Sequence, residues 1–183
     1  MGMYKAIREL WKKPKENLGE LYRERLIAWR REDSITKIER PTRLDSARSL
    51  GYKPKKGIVL FRIKVKRGGR KREQRKNGRR SKTQRRRKIV GMSYQWIAEQ
   101  RVQRKFTNLE VLNSYFVAED GLHRWFEVIM VDPYRPEIKA DKNLSWICFR
   151  KHTNRALRGK TSAGRSSRGL MNKGIGAEKL RPS

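Results

Sequence analysis

The sequence predicts an α+β fold in which a small mixed sheet packs against helices and long basic extensions leave the body. Apolar residues recur at helical spacing over about residues 4–29, and they alternate at strand spacing over 57–66 and 109–131. Basic residues dominate much of the remaining chain, which predicts one modest core. We expect a single domain over 1–183, with an ordered body at about 1–31, 57–66 and 89–149 and basic extensions at 32–56, 67–88 and 150–183.

The charge balance limits what the protein can bind. The chain has 49 Lys and Arg residues against 18 Asp and Glu residues, a formal net charge of +31 on 183 residues. Positive charge at this density opposes compaction unless a polyanion neutralises it, so we expect a nucleic-acid partner. The longest apolar run is only a handful of residues, and no basic amphipathic helix dominates the chain. We therefore expect no membrane attachment.

Two helices are predicted near the N-terminus. Apolar residues from Tyr4 to Trp11 keep helical spacing, and Pro14 ends this first helix. Asn17 is a plausible N-cap for the second helix. The apolar stripe of the second helix, typical of core packing, comprises Leu18, Leu21, Tyr22, Leu26 and Trp29. The arginines on its polar face are open to either solvation or binding.

The segment 32–56 loses periodicity and reads as a basic extension. Thr42 and Asp45 resemble a helix start, and Gly51 suits the left-handed position after a helix end, so a short basic helix is predicted within an extended segment. Such a segment buries too little apolar surface to order itself, so it is either disordered or fixed by a partner.

The first clear strand is predicted over Gly57–Lys66. Its core face alternates with a face that carries Arg62, Lys64 and Lys66 and no acidic residue. A solvated face would normally mix both signs of charge, so this pattern favours phosphate contact. Residues 66–88 then hold 14 basic residues and one acidic residue, which predicts a loop that threads into something anionic.

A third helix is predicted to begin at Ser93, followed by strands over Leu109–Ala118 and Leu122–Val131 joined at Asp120-Gly121. The second of these strands is apolar at nearly every position from Trp125, which is typical of a central strand covered on both faces. Beyond the apolar run 144–149 the chain is basic and glycine-rich, which predicts a second polar extension that needs a partner to become ordered.

The residues that could carry catalysis lack diagnostic spacing. Asp120 before Gly121 is explained by turn geometry, and Gly159-Lys160-Thr161 has neither the earlier glycine nor the strand of a phosphate-binding loop. Cys148, the single cysteine, is expected to be a small buried hydrophobe. We expect no enzyme activity, no cofactor, no metal and no small-molecule substrate, and the absence of a signal-peptide pattern favours a cytoplasmic protein. Two alternatives stay open: a metal-dependent nuclease using the hairpin carboxylates, and a chromatin-type compacting protein.

Six ordered runs give the sequence a resemblance to a known family. They are Met3-Tyr4-Lys5 to Leu10-Trp11, Arg40-Pro41-Thr42-Arg43 to Leu50-Gly51-Tyr52-Lys53, Arg62–Val65 with Arg67-Gly68-Gly69-Arg70-Lys71-Arg72, Val111-Leu112-Asn113-Ser114-Tyr115 with Glu119-Asp120, Phe126–Ile129 with Asp132-Pro133, and Thr161–Arg165 with Ser167–Leu170. They resemble the archaeal and eukaryotic family of large-subunit ribosomal protein fifteen-e. The richness in Lys, Arg and Glu looks archaeal.

The resemblance implies a structural protein whose extensions are buried in large-subunit ribosomal RNA (rRNA), with neighbouring ribosomal proteins as minor partners. We expect contact mainly with phosphates, since side chains cannot read the deep groove of an RNA helix. Tyr52 could stack on an unpaired base or pack against the helix before it. The candidate rRNA-binding residues are Arg40, Arg43, Arg48, Tyr52, Lys53, Lys55, Lys56, Arg62, Lys64, Arg67, Gly68, Gly69, Arg70, Lys71, Arg72, Arg158, Arg165 and Arg168.

Overall fold

A four-stranded antiparallel sheet forms the centre of the computed structural model, which describes residues 2–71, 78, 87, 90–178 and 180. The strand order is β1-β2-β4-β3, and every pairing between these strands is antiparallel. Their bounds are Ile35–Ile38 for β1, Ile58–Lys66 for β2, Glu110–Glu119 for β3 and His123–Val131 for β4. With helices packed on the sheet, the predicted α+β class is confirmed.

Strand β4 is central and buried on both faces, as its continuous apolar run predicted. Phe126, Val128 and Met130 face one core cluster. Trp125 and Ile129, which alternate with them, face the other. Both faces of β4 therefore lie in apolar surroundings, and the one carboxylate in the strand needs polar partners to be tolerated there.

The N-terminal helices are α1 (Met3–Leu10), α2 (Pro14–Asn17) and α3 (Gly19–Arg31). The end of α1 before Pro14 is as predicted, but Asn17 does not cap the following helix. Its Nδ2 instead donates to the carbonyl oxygens of Glu9 and Leu10, each at 3.1 Å, and so satisfies the C-terminus of α1.

The apolar stripe of α3 is narrower than predicted. Tyr22, Leu26 and Trp29 are buried, whereas Leu21 is 46% exposed. The three buried positions follow the 4-then-3 spacing of one helix face, and Leu21 lies about 100° away from Tyr22 around the axis. The prediction that Leu21 lies in the core is therefore wrong, because the residue next to Tyr22 in the sequence does not share its helix face.

Part of the predicted extension 32–56 folds onto the body. Residues Ile35–Ile38 form the edge strand β1, which the sequence did not predict and which pairs with Leu60–Ile63 of β2. Helix α4 (Leu44–Ser49) is the predicted short helix. It buries Ala47 completely, and the chain leaves it through Gly51 at φ +98° as expected. A four-residue strand such as β1 is too short for periodicity to reveal.

Helix α5 (Tyr94–Lys105) begins after Ser93, whose Oγ accepts a hydrogen bond from the Trp96 amide at 3.2 Å. This confirms the predicted start. The helix packs against β2, β3 and β4, with Ala98 and Val102 fully buried.

Part of the predicted extension 150–183 also lies against the body. After α6 (Pro136–Lys139), 3-10 turns at Ser145–Cys148 and Arg150–His152 lead to α7 (Ser162–Ser167). Ala156 and Thr161 are fully buried. Glycine content predicted the absence of a long helix here, but it did not reveal the contacts that dock the segment.

Candidate nucleic-acid interface

The cations of the candidate interface divide into those with partners inside the protein and those without. Arg62 and Lys64 show the first kind. Arg62 Nη2 lies 2.7 Å from Glu32 Oε1 and its Nε 3.1 Å from Glu32 Oε2, and its guanidinium stands 4.6 Å from the Trp29 ring centroid. Lys64 Nζ donates to the carbonyl oxygens of Arg30 and Glu32, each at 2.9 Å.

These contacts explain the all-basic face of β2 without RNA. The Arg62 side chain is only 11% exposed, and Lys64 satisfies carbonyl groups at the C-terminus of α3, where cations are favourable. The absence of acidic residues on the face predicts phosphate binding, but the matching acceptors come from α3 and the residue after it. Phosphate contact by these two residues stays a prediction.

Lys53 and Lys55 share one carboxylate. Their Nζ atoms lie 3.2 and 2.7 Å from Asp141 Oδ2. The hydrogen bond from Lys55, helped by the Asn143 amide and by Lys53, holds the pKa of Asp141 well below its usual range. The pair therefore ties the segment after α4 to the loop before the first 3-10 turn.

Four further candidate arginines also contact protein groups. Arg43 Nη2 lies 3.4 Å from Asp45 Oδ2, and the guanidinium of Arg48 lies over the Tyr4 ring. Arg67 Nη1 donates to the Asp120 carbonyl at 2.8 Å, and Arg158 Nη1 donates to the carbonyls of Lys151 and Thr153, each at 3.1 Å. Each of these side chains fixes a turn or a helix contact.

The remaining candidates fall into several groups. Tyr52 packs against the main core cluster, which favours the packing alternative. Gly68, at φ +86°, donates its amide to the Tyr94 hydroxyl at 2.7 Å, and the neighbouring Gly69 is half-buried. Arg70 and Arg168 have contacts within the protein. The backbone of Lys71 forms an isolated antiparallel β-bridge with that of Arg87, and Arg72 lies outside the described residues.

Arg40, Lys56 and Arg165 form the second kind of cation. Arg40, Lys56 and Arg165 are exposed, and within the described part of the chain their side chains make no ion pair or hydrogen bond. The prediction missed Lys37, which is exposed, and Lys160, which is half-buried. Within the described residues, neither side chain makes an ion pair or a hydrogen bond. Lys37 lies in the short strand β1, which periodicity does not reveal, and Lys160 lies just before α7.

A buried carboxylate fixes the segment that carries Arg40 and Arg43. Glu127 of β4 is fully buried and accepts hydrogen bonds from the Thr42 amide at 3.0 Å, the Thr42 hydroxyl and the Tyr115 hydroxyl at 2.5 Å. Burial raises the pKa of Glu127, opposed by the hydrogen bonds from Thr42 and Tyr115 and by Arg62. Thr42 is thus engaged by the sheet and does not cap α4.

A second buried carboxylate fixes the C-terminal segment. Glu99 of α5 accepts hydrogen bonds from the Ser114 hydroxyl at 2.5 Å and from the Thr161 hydroxyl. Thr161 also accepts from the Gly164 amide at 3.2 Å and so caps α7. Burial raises the pKa of Glu99, opposed by Ser114, Thr161 and Arg155. The tripeptide Gly159-Lys160-Thr161 is therefore a helix start.

A third carboxylate and an arginine fasten the same segment to the edge of the sheet. Glu110 Oε1 accepts from the Asn154 amide at 2.8 Å. Arg155 Nη1 donates to the carbonyls of Val111 and Leu112 at 2.9 and 2.7 Å. Edge strand β3 is thus covered by polar contacts from residues 154 to 155, which protects its unpaired backbone groups.

Asp120 and Asp132, the carboxylates near the β3–β4 hairpin, stabilise turns by accepting hydrogen bonds from backbone amides. Asp120 Oδ1 accepts from the amides of Leu122 and His123 at 2.7 and 2.6 Å, and Asp132 Oδ1 accepts from the Tyr134 amide at 3.0 Å. Within the described ranges, no three His, Cys, Asp or Glu side chains are grouped to hold a metal ion. Cys148 is half-buried beside the core, and burial raises the pKa of its thiol.

None of the helices that the structure describes is long and apolar enough to cross a bilayer.

Comparison with known proteins gives matches over almost the whole chain. The family described as Ribosomal L15 matches residues 2–183. The chain is 52% identical over 183 residues to the large ribosomal subunit protein eL15 of Nanoarchaeum equitans, covering 100% of this chain and 96% of the relative. It is 54% identical over 182 residues to the eL15 protein of Methanococcoides burtonii, covering 98% and 92%. The chain therefore belongs to the Ribosomal L15 family, as the ordered sequence runs indicated.

Proposed function

We propose that this chain is a structural constituent of the large ribosomal subunit, where it binds and stabilises folded large-subunit rRNA. The observation that carries the proposal is the family match over residues 2–183. Its archaeal relatives are named as large ribosomal subunit proteins. The formal net charge of +31 fits a chain whose main partner is a polyanion. The cytoplasmic ribosome is its place of action.

The division among the cations suggests how binding works. Cations with protein partners shape the surface, and cations without them, such as Arg40, Lys56 and Arg165, neutralise phosphates. Arginine suits this role because its forked donors match phosphate oxygens. The shape of the surface, held by Glu127 and Glu99, then supplies the fit to one folded RNA. Neighbouring ribosomal proteins are the remaining partners.

A structural role also fits the described residues, among which no group of His, Cys, Asp or Glu side chains is arranged to hold a metal ion. The hairpin carboxylates, which a nuclease would need for a metal, accept backbone hydrogen bonds in turns. We infer that the protein has no enzyme activity and no small-molecule substrate.

Equilibrium binding of the full chain to large-subunit rRNA over a salt series tests the proposal. Log affinity should fall with log salt by roughly 0.7 to 0.9 for each neutralised phosphate, and rRNA should bind more tightly than duplex DNA at matched salt. Equal affinity for DNA would support the chromatin alternative. Cleavage of the RNA with Mg²⁺ that disappears in Asp120→Asn or Asp132→Asn would support the nuclease alternative.

A further inference from the structure

A cleft of about 350 Å³ opens beside strand β3. Val111 pairs with Met130 and Asn113 with Ile129, so Leu112 between them lies in a bulge without a cross-strand partner. Bulges redirect side chains and often lie next to binding sites. The cleft lies within the roughly 300 to 1,000 Å³ of pockets that hold small organic ligands. It is large enough for one flat heterocycle.

One wall of the cleft is apolar. Leu50, at the end of α4, and Leu112, in the bulge, line it together with Met171. Met171 is 61% exposed, so its side chain covers the cleft without being part of the core. A phosphate group alone would gain nothing from this wall, because apolar surface favours apolar ligand surface.

A stacked pair forms another wall. The guanidinium of Arg155 lies 4.8 Å from the centroid of the Trp146 ring, and both residues line the cleft. Hydrogen bonds to the carbonyls of Val111 and Leu112 hold the guanidinium in place. Unpaired RNA bases stack on aromatic rings and on arginine guanidinium planes. The pair is a preorganised surface of that kind.

The polar lining of the cleft is cationic. Lys160 and Arg165 line it together with the neutral residues Asn113 and Ser162, and none of the described lining residues is Asp or Glu. Within the described part of the chain, neither cation has an ion pair or a side-chain hydrogen bond. Lys55, by contrast, is paired with Asp141. A ligand that satisfies the whole cleft is flat and apolar at one end and anionic at the other.

We propose that this cleft holds a single unpaired nucleotide of the bound rRNA, with its base against the Trp146–Arg155 pair and the apolar wall, and its phosphate on Lys160 and Arg165. The inference rests on the proposed function, which supplies RNA as the polyanion. It adds a specific contact to a surface otherwise expected to bind phosphates without reading bases. An acidic peptide could also satisfy the two cations, but it does not supply a flat ring for the stacked pair.

Ultraviolet cross-linking of the full chain to large-subunit rRNA tests the proposal, with the attached nucleotide located by mass spectrometry. We expect a cross-link on a peptide that contains Trp146 or Met171. Met171→Ala should lower that yield and weaken affinity by roughly fivefold, because it removes apolar surface that would contact the base, without changing the salt slope. Met171→Leu, which keeps the apolar wall, should retain both. Because Met171 is exposed, these variants avoid the folding risk of Trp146→Ala.

A charge-matched pair completes the test. Arg165→Ala removes one expected phosphate contact, so it should lower the salt slope by roughly 0.7 to 0.9 and reduce the yield of the cross-link. Arg150→Ala, an exposed cation outside the cleft lining, should keep the cross-link. The proposal is overturned if rRNA binds with the expected salt dependence while cross-links fall only outside the cleft, if Met171→Ala matches the unsubstituted chain, or if a peptide occupies the cleft in intact subunits. Absence of any rRNA binding would overturn the proposed function as well.

Discussion

At the scale of single residues, buried carboxylates decide where the basic segments lie. Glu127 accepts hydrogen bonds from the Thr42 amide and hydroxyl, and Glu99 accepts one from the Thr161 hydroxyl. A buried carboxylate is costly unless it is hydrogen-bonded. Each of these acids therefore favours the one arrangement in which the docked segment satisfies it.

Replacing Glu127 should destabilise the protein strongly. Glu127→Leu leaves the Thr42 amide and hydroxyl and the Tyr115 hydroxyl without their acceptor and removes the carboxylate 3.8 Å from Arg62, so we expect a loss of about 3 to 5 kcal/mol in the free energy of unfolding. Urea unfolding of the full chain measures it. Glu24→Leu, on the exposed side of α3, should change that free energy by less than about 0.5 kcal/mol. Equal losses in both variants would contradict the account.

The raised pKa of Glu99 predicts a specific pH dependence. A carboxyl whose folded pKa lies above its unfolded value contributes stability at pH below the unfolded value, and loses it as pH rises through the folded pKa. The unsubstituted chain should therefore lose stability relative to Glu99→Gln as pH rises above about 4.5, the ordinary value for Glu. Unfolding free energies of both proteins over a pH series measure this. A difference independent of pH would refute it.

Sequence reasoning could not foresee these residues. In the sequence, Glu127 only interrupts an apolar strand, and its partner Thr42 is 85 positions away. Thr161 likewise lies 62 positions from Glu99. Local patterns such as the Asp120 turn were predicted correctly, since their hydrogen bonds reach only two or three residues along the chain.

At the scale of elements, long periodic segments and the short helix α4 were predictable, whereas strand β1 and helix α7 were not. Helix α5 and the hairpin of β3 and β4 follow from spacing and turn residues alone. Strand β1 and helix α7 gain their order from partners, namely β2 for the first and Glu99 for the second. The candidate interface depends on such segments, which is why composition indicated its charge but not its shape.

Docking of α7 should depend on the Thr161 hydroxyl. Thr161→Val keeps the side-chain shape but removes the cap of α7 and one hydrogen bond to Glu99, so we expect faster amide hydrogen exchange over Ser162–Ser167. Exchange in central strand β4 should stay slow. Ser166→Ala, on an exposed position of the same helix, is the matched control. Unchanged exchange in Thr161→Val would mean that other contacts hold the helix.

At the scale of the whole molecule, the net charge of +31 is used in two ways. Some cations contact protein carboxylates or carbonyls and shape the surface, while others are open to a polyanion. Counting basic residues therefore overstates the number of phosphate contacts. Charge and apolar content indicated the partner class correctly, because those properties do not depend on which residues meet in the fold.

Two double variants that remove the same charge should separate these roles. Arg40→Ala with Lys56→Ala removes cations without internal partners, and should lower the salt slope of rRNA binding by roughly 1.4 to 1.8. Lys53→Ala with Lys55→Ala should lower it less, and should raise the pKa of Asp141 toward its usual range as its main hydrogen bond is lost. Binding over a salt series and carboxyl titration by NMR measure both. Equal salt slopes for the two double variants would argue against the division between cations with and without partners inside the protein.

The central claim is that the chain is a built-in component of the large ribosomal subunit. Sedimentation of the endogenous protein in cell-extract gradients, at moderate and at high salt, tests it most directly. Contacts distributed over many phosphates and a shaped protein surface should keep the protein with the large subunit through a high-salt wash. A protein that sediments free of subunits, or that leaves them when the salt is raised, would contradict the account.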